Sequence, residues 1–272
     1  MKYQIDHDYH IHSGLSLCSD DPEQTPQAIL EYGEQNQMKR LVLTDHYWDE
    51  EVPGAEDFSF YREQDTERIY RAYPLPQGEH TRFFWGCEID MSKDFRIGLT
   101  REHFDRFEVV IIPTTQLHLK PFTVEETLEG TEARAKLYVE RWDALLKMDI
   151  PFEKVGFAHL TCRLIDNSKK QFDDHLRVLD RIPDEEFRRL FTRSKEVGMG
   201  IELNFPIENY SGDDLSRVLR PYQIAKVVGC KFYLGSDAHH KEGLAQMERF
   251  ARIVDALQLT EEDKFHFPAE MQ

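Results

Sequence analysis

Short apolar runs alternate with longer amphipathic stretches along almost the whole chain. Runs of four to ten residues rich in Val, Ile, Phe and Tyr are typical of buried strands, and strands that alternate with helices indicate parallel βα units. Seven runs are predicted as strands on this basis: residues 3–12, 40–45, 82–90, 108–114, 154–159, 200–204 and 231–236.

Five amphipathic stretches predict helices. The first predicted helix, "TPQAILEYGEQNQM", begins with Thr25 as its cap and Pro26 at its first helical position. Acidic residues in the first turn and Gly198 after the last turn delimit "PDEEFRRLFTRSKEVG". Pro221 predicts a break or kink in the helix over 215–229. The other two stretches cover residues 123–148, in spite of Gly130, and 241–259.

Charge and cysteine content narrow the classes of function. The 272 residues carry a net charge of −17, with 51 acidic and 34 basic residues, which disfavours binding to long nucleic acid. An anionic substrate stays compatible with this charge, because bound metal cations can invert the local field. Four scattered cysteines indicate reduced thiols in a cytoplasmic protein. We expect no signal peptide and no membrane span, since strand-like sequence begins at once and the apolar runs are short.

Polar side chains with metal-ligand chemistry stand at or near the end of every predicted strand. In one parallel α/β barrel, which this length allows as readily as two small domains, the strand ends meet at one rim. Alternate residues of a strand point to one face, so Asp8, His10 and His12 of "DYHIHS" should share a face opposite Tyr9 and Ile11. The later strand ends supply Asp45, His46, Glu88, His118, His159, Glu202, Asn204, Asp237 and His239.

This set of residues predicts a metal site with mixed nitrogen and oxygen ligands. Imidazole and carboxylate together suit zinc, manganese or iron better than calcium. The set is large enough for more than one divalent ion, and Glu88 is the best candidate for a bridging carboxylate. Asp8 is interpreted as an acid that orients a ligand. The irregular segment 48–64 is predicted to be a loop over the site.

The motifs "DYHIHS", "TDH", "GCEID", "LHL", "FAHL", "IELN" and "GSDAHH" together resemble the PHP (polymerase and histidinol phosphatase) superfamily. The resemblance extends from about residue 5 to residue 245 and is greatest to the stand-alone histidinol-phosphatase branch. It implies a distorted (β/α)7 TIM-like barrel, here a single domain over 1–272, with two to three divalent metal ions. It also implies hydrolysis of L-histidinol phosphate to L-histidinol and phosphate.

The resemblance further implies a set of ligands for each ion. The first ion would be held by His10, His12, Glu88 and Asp237. The second would share Glu88 and add His118 and His159. The third would use His46, His239 and a residue of the loop "SLCSDD", for which Asp20 is the first choice and Asp21 the alternative.

The expected chemistry is attack on phosphorus by a hydroxide that bridges two metal ions, with the ions holding the other phosphate oxygens. Asp237 or His239 would assist proton transfer to the leaving alkoxide. Arg163 could hold the phosphate, and Asn204 and Glu202 are candidates for contacts with a small phosphorylated substrate.

Three alternatives stay open at the level of sequence. An amidohydrolase-type enzyme also begins with HxH on its first strand but normally has eight strands. A non-catalytic metal-binding PHP module would have the same fold. A third alternative is another small phosphate or nucleotide as substrate, since "IPTTQLHL" and "LTCRLI" depart from the usual pattern of the branch.

Overall fold

Seven parallel strands form one sheet in the order β1 to β7 in a computed structural model that describes residues 1–166 and 171–271. This confirms the predicted strands, although each is shorter than the run that predicted it. The strands are β1 (His7–Ile11), β2 (Arg40–Leu43), β3 (Arg82–Glu88), β4 (Val109–Ile112), β5 (Val155–Phe157), β6 (Gly200–Leu203) and β7 (Lys231–Leu234).

The sheet curls into a nearly closed barrel because the first and last strands meet just beyond their ends. Asp237 N donates to His10 O (2.8 Å), and His12 N donates to Ala238 O (3.0 Å). A parallel bridge between Ile11 and Ala238 continues this contact. The two histidine-containing motifs at the ends of the chain are therefore neighbours at one rim.

The helices surround the barrel. As predicted, the helix Pro26–Gln35 is capped by Thr25, whose hydroxyl oxygen accepts from Ala28 N (3.2 Å). The helix Asp184–Val197 ends at Gly198, which has a left-handed φ of 84°, also as predicted. The helices are α1 (Pro26–Gln35), α2 (Ser59–Arg62), α3 (Thr66–Ile69), α4 (Thr131–Leu145), α5 (Asp174–Leu179), α6 (Asp184–Val197), α7 (Gly212–Val228) and α8 (Met247–Leu257).

The structure corrects the start of one predicted helix and excludes the predicted break in another. The helix expected over 123–148 begins only at Thr131, because Gly130 has φ 80° and cannot continue a right-handed helix. The break or kink predicted at Pro221 does not end the helix, since α7 continues through it to Val228. Pro221 is buried, and the helix continues although proline cannot donate a backbone hydrogen bond.

Residues near the end of the chain fill the barrel interior at the amino-terminal ends of the strands. Phe265 and Phe267 pack with Tyr9, Phe84 and Tyr233, which come from three different strands. Phe265 N also donates to Phe232 O near the start of β7 (2.8 Å). The tail thus closes the amino-terminal end of the barrel and leaves the opposite rim for chemistry. In the part of the chain that the structure describes, we find no helix of the length and apolarity needed to cross a membrane.

Candidate metal centre

The buried carboxylate of Glu88 lies at the centre of the rim and is surrounded by imidazole nitrogens. Among the residues that the structure describes, neither of its oxygens has a hydrogen-bond partner, although both are buried. A buried ionised carboxylate without hydrogen bonds is costly unless a cation compensates it. The surrounding distances from Glu88 Oε2 are 3.3 Å to His10 Nε2, 3.1 Å to His12 Nε2 and 3.2 Å to His46 Nδ1, and Oε1 lies 3.3 Å from His159 Nε2.

Asp237 faces Glu88 across the same cluster. Its Oδ1 lies 3.1 Å from His12 Nε2 and 3.5 Å from His10 Nε2, and its Oδ2 lies 3.7 Å from His159 Nε2. Asp237 and His159 both adopt a left-handed backbone, with φ of 54° and 59°. Such a conformation is unfavourable for residues other than glycine and is found most often where a site requires it.

The spacing of these donors fits metal coordination. Donors placed 2.0–2.1 Å from a tetrahedral zinc ion are separated by about 3.3 Å from one another. The observed separations of 3.1–3.7 Å lie close to this value. Three groups of donors converge to within 4.8 Å: His12 with His46 and His239, His10 with His12, Glu88 and Asp237, and His10 with His159 and Glu202.

Hydrogen bonds to the far side of each ring orient the imidazoles. Glu202 Oε1 lies 2.6 Å from His10 Nδ1, and Ser16 Oγ lies 3.0 Å from His12 Nδ1 while donating to Asp45. His239 Nδ1 lies 2.8 Å from Asp237 O. In each ring the Nδ1 hydrogen is therefore used, and the Nε2 lone pair is directed to the cluster as a ligand requires.

Electrostatics divide the cluster into charged and neutral groups. Burial opposes protonation of His159, but Asp237, Glu88 and Glu202 outweigh it and raise its pKa to about 9. Burial lowers the pKa of His46 to about 3, and burial with the charge of His159 lowers that of His118 to about 4. Glu88 keeps a depressed pKa in spite of burial because His46 and His10 lie beside it. His46 and His118 are thus neutral donors beside ionised carboxylates. Against the effect of burial, the carboxylates also raise the pKa values of His10 and His12, and a divalent cation would replace the protons on these two rings and on His159.

A cavity of about 300 Å³ opens onto this cluster. The donors Glu88, Asp237 and His239 line it on one side. His118 also lines it, and its buried Nδ1 has no hydrogen-bond partner, but His118 is outside the three groups of converging donors. The cavity places a bound molecule in contact with the predicted ligands.

Asp20 is not brought to the cluster. Its side chain is 90 % exposed, and its Oδ1 lies 3.0 Å from His240 Nδ1. The alternative, Asp21, accepts hydrogen bonds from Lys241 N (3.1 Å) and Glu23 N (2.9 Å) and so serves the backbone of two loops. Cys18 of the same loop is the residue that lines the cavity.

The three residues predicted to contact substrate lie apart from the described lining of the cavity. Arg163 is exposed, with its guanidinium 5.6 Å from the centre of the Phe172 ring. Asn204 is half-buried after β6. Glu202 is fully buried behind His10, and its Oε2 accepts from His159 N (2.8 Å), so its position is that of an acid that orients ligands.

The backbone of β1 differs from the regular alternation that the sequence suggested. The pairing of β1 with β2 shifts register between Asp8 and Ile11, so Tyr9 lies in the barrel interior and does not face away from the site. Asp8 accepts from His10 N (3.2 Å) and Ser236 N (3.0 Å), which ties β1 to the end of β7.

Several residues of the site carry no sequence signal. Gln24 is buried and donates to Ala238 O (2.7 Å), which fixes the contact between the two ends of the barrel. Ser16 orients His12, and Phe60 covers His46 with its ring centre 5.4 Å away. Serine, glutamine and phenylalanine occur throughout any chain, so only the folded arrangement identifies them. His7 and His175 lie outside the cluster and are both fully buried.

Comparison with solved structures places this architecture among known folds. One match is histidinol phosphate phosphatase from Lactococcus lactis subsp. lactis Il1403, solved with zinc, L-histidinol and phosphate; it has a TM-score of 0.58 and 13 % identity and covers 96 % of this chain and 98 % of that one. A Listeria monocytogenes structure named for the same phosphatase has a TM-score of 0.54 and 14 % identity. The match covers 90 % of this chain and 99 % of that one. The predicted distorted (β/α)7 barrel is thus confirmed as the fold. No family model matches the chain, and no curated protein matches it.

Proposed function

We propose that the protein is a metal-dependent phosphomonoesterase. The observation that supports this most directly is the carboxylate of Glu88, which is buried, lacks hydrogen bonds and is surrounded by imidazole nitrogens at the spacing of metal ligands. The cluster forms the floor of an open cavity, as a catalytic centre requires and a closed structural site does not.

The proposed ligands follow the converging groups of donors. His10, His12, Glu88 and Asp237 would hold one ion, and His46 and His239 another. We also propose that His118 and His159 complete a site with Glu88, because both line the cavity and His118 has a buried nitrogen without a partner. Asp20 is not included, since its carboxylate is directed to His240.

Divalent ions bound here would supply an acidified water as nucleophile and positive charge beside the phosphate oxygens. The residues of the chain have to exclude bulk water, fix the ligands and move one proton. Asp237 or His239 is proposed to assist the transfer of a proton to the leaving oxygen, because both line the cavity with about a quarter of the side chain exposed (25 % and 22 %).

L-Histidinol phosphate is the proposed substrate. The motifs of the chain and the name of the Lactococcus lactis structure support it. A cavity of about 300 Å³ suits a small phosphorylated molecule, and the charge of −17 disfavours long nucleic acid. Another small phosphomonoester or a nucleotide is the alternative. We also propose a cytoplasmic location, supported by four free cysteines.

Release of phosphate from a panel of phosphomonoesters and phosphodiesters, with metal content measured on the same sample, tests the proposal. The purified protein should contain two to three ions per chain and hydrolyse monoesters. Glu88→Gln should lower the rate by roughly 10³-fold or more, because it removes a charged ligand at the centre of the cluster.

His80→Ala provides the matched control, because His80 is exposed on a loop and only its backbone is hydrogen-bonded. This variant should keep full activity and metal content. An active Glu88→Gln protein would contradict the proposed centre. Bound metal without hydrolysis of any ester would instead favour the non-catalytic module.

A further inference from the structure

Apart from the proposed metal ligands, the lining of the cavity is mainly apolar, and these apolar residues are called its wall. Phe60, Leu119 and Leu164 form it, and the polar residues between them, Gln116 and Cys18, are uncharged at neutral pH. With phosphate at the metal ligands, the alcohol portion of the ester would lie against this wall. The wall would therefore contact the leaving group of the ester.

The short helix α2 holds Phe60 in place. In "FSFYR" the side chains of Phe58 and Tyr61 are one helical turn apart and pack together into an aromatic cluster. Tyr61 is fully buried, donates its hydroxyl to Asp90 and stacks 4.7 Å from Phe122. Phe60 packs on this cluster through the ring of Tyr61 (4.9 Å) and also contacts the ring of His46 (5.4 Å) in a T-shaped arrangement. Its ring is thus a fixed surface over the site.

The other two apolar residues of the wall, Leu119 and Leu164, are also held in place by contacts with neighbouring segments. Leu119 packs on the cluster of Trp48, Tyr61 and Phe122. Leu164 follows β5 in a short 3₁₀ turn, and its carbonyl accepts from Leu117 N (3.2 Å), which joins the loops after β4 and β5. A wall assembled from three connected loops loses little entropy when a ligand binds.

The charges of the cavity complete the argument. Among the described residues that line it, Glu88 and Asp237 are the only carboxylates, and both face the imidazoles of the proposed metal centre. The same lining contains no lysine or arginine. An ammonium group on the leaving alcohol would therefore meet solvent and apolar carbon, without a carboxylate of its own.

Resting on the proposed function, we propose that this site recognises its phosphomonoester through the apolar, ring-containing body of the leaving group and makes no use of an ammonium group there. Phe60, Leu119 and Leu164 are the residues that determine this specificity. Esters with a flat ring one short linker away from phosphate form the preferred class, and histidinol phosphate belongs to it through its imidazole.

Three esters test the inference: L-histidinol phosphate, its analogue without the amino group, 3-(imidazol-4-yl)propyl phosphate, and glycerol phosphate. The first two should have kcat/KM values within about 3-fold of each other and above glycerol phosphate by roughly 10-fold or more. A preference for histidinol phosphate over its deaminated analogue of about 100-fold or more would overturn the inference and leave the phosphatase intact. Hydrolysis of none of the esters by the metal-loaded protein would reject the proposed function, and the inference with it.

Two variants localise the effect. Phe60→Ala should lower kcat/KM for the two imidazole esters by about 10-fold and leave glycerol phosphate within about 2-fold. Leu164→Asp should create a preference of about 10-fold for the ester with the ammonium group. Tyr73→Ala is the control, because Tyr73 is 57 % exposed and packs beside Trp85. It should change neither kcat/KM for the imidazole esters nor the preference between esters with and without the ammonium group. Equal loss on all three esters in Phe60→Ala would show a merely structural role and contradict the assignment.

Discussion

His10 and Glu202 pack closely against Gly235, where there is no room for a side chain. A Cβ atom on Gly235 would lie 2.3 Å from Glu202 Oε1 and 2.8 Å from His10 Cβ. The carboxylate that orients the imidazole and the imidazole itself therefore both depend on this glycine. Because Glu202 is fully buried, it has little space into which to move.

Gly235→Ala should lower the affinity for metal by about 10- to 100-fold, because displaced outer partners misdirect the ligands that they orient. Titration of the metal-free protein with zinc against a chelating indicator measures this affinity. Gly198→Ala is the control, since its left-handed position at the end of α6 is remote from the rim. It should cost about 1 kcal/mol of stability and leave metal affinity unchanged. Unchanged affinity in Gly235→Ala would contradict the dependence of His10 on Glu202.

At the scale of elements, α4 holds together the segments that follow β3 and β4, and the second of these contains Leu119 of the cavity wall. Arg141 is fully buried on α4, although its apolar neighbours would suggest a core position for leucine. Its guanidinium donates to four carbonyl oxygens, which belong to Thr114 (2.7 Å), Ser92 (3.1 Å), Thr123 (2.8 Å) and Met91 (2.7 Å). These carbonyls lie in the segments after β3 and β4, so one side chain fixes both.

Arg141→Met should destabilise the protein by roughly 3 kcal/mol or more, because it leaves four buried carbonyl groups without donors. Urea unfolding followed by tryptophan fluorescence gives the free energy. Arg193→Met removes an exposed ion pair with Glu196 and should change stability by less than about 0.5 kcal/mol. If the two variants proved equally stable, the four hydrogen bonds would not be what holds these loops.

The sequence was informative about the strands and much less so about the loops. Alternation and chain order were enough to place His10, His12 and Asp237 at one rim, since parallel strands end together. Loop side chains are directed by contacts distant in sequence, such as that of Asp20 with His240, which no local pattern encodes. The same holds for Phe60, whose orientation follows from the burial of its neighbour Tyr61.

At the scale of the whole molecule, the barrel is closed at both ends by contacts between distant parts of the chain. At one end, beside the candidate metal centre, backbone hydrogen bonds join β1 to the residues that follow β7. At the other, Lys264 of the tail is buried against Asp6 (3.0 Å) and lies 4.9 Å from the centre of the Tyr3 ring. His7 is fully buried beside this ion pair, with its Nδ1 3.2 Å from Asp6 Oδ1, and its Nε2 accepts from Leu234 N (3.1 Å).

These contacts of Asp6, His7 and Lys264 form the lower closure, at the amino-terminal end of the barrel. The lower closure should make the free energy of unfolding sensitive to acid. Burial, with the positive charges of Lys264 and Arg40, lowers the pKa of His7 to about 4, although Asp6 opposes the shift. The unfolded chain, with an ordinary pKa near 6.5, therefore binds a proton more readily than the folded one. The contribution of the neutral ring is complete above pH 6.5 and is lost as the pH falls towards 4. The full loss is about 3 kcal/mol.

His7→Gln should remove this dependence while keeping an acceptor for Leu234 N. Between pH 7 and pH 4.5, the free energy of unfolding of the unmodified protein should fall by about 2 kcal/mol more than that of the variant. Both proteins are measured with a chelator present, so that the histidines of the rim titrate alike and cancel in the difference. His80→Gln, an exposed substitution, should follow the unmodified protein. Parallel curves for His7→Gln and the unmodified protein would mean that the ring at the lower closure is already protonated in the folded chain, and that Asp6 prevails over burial and the two cations.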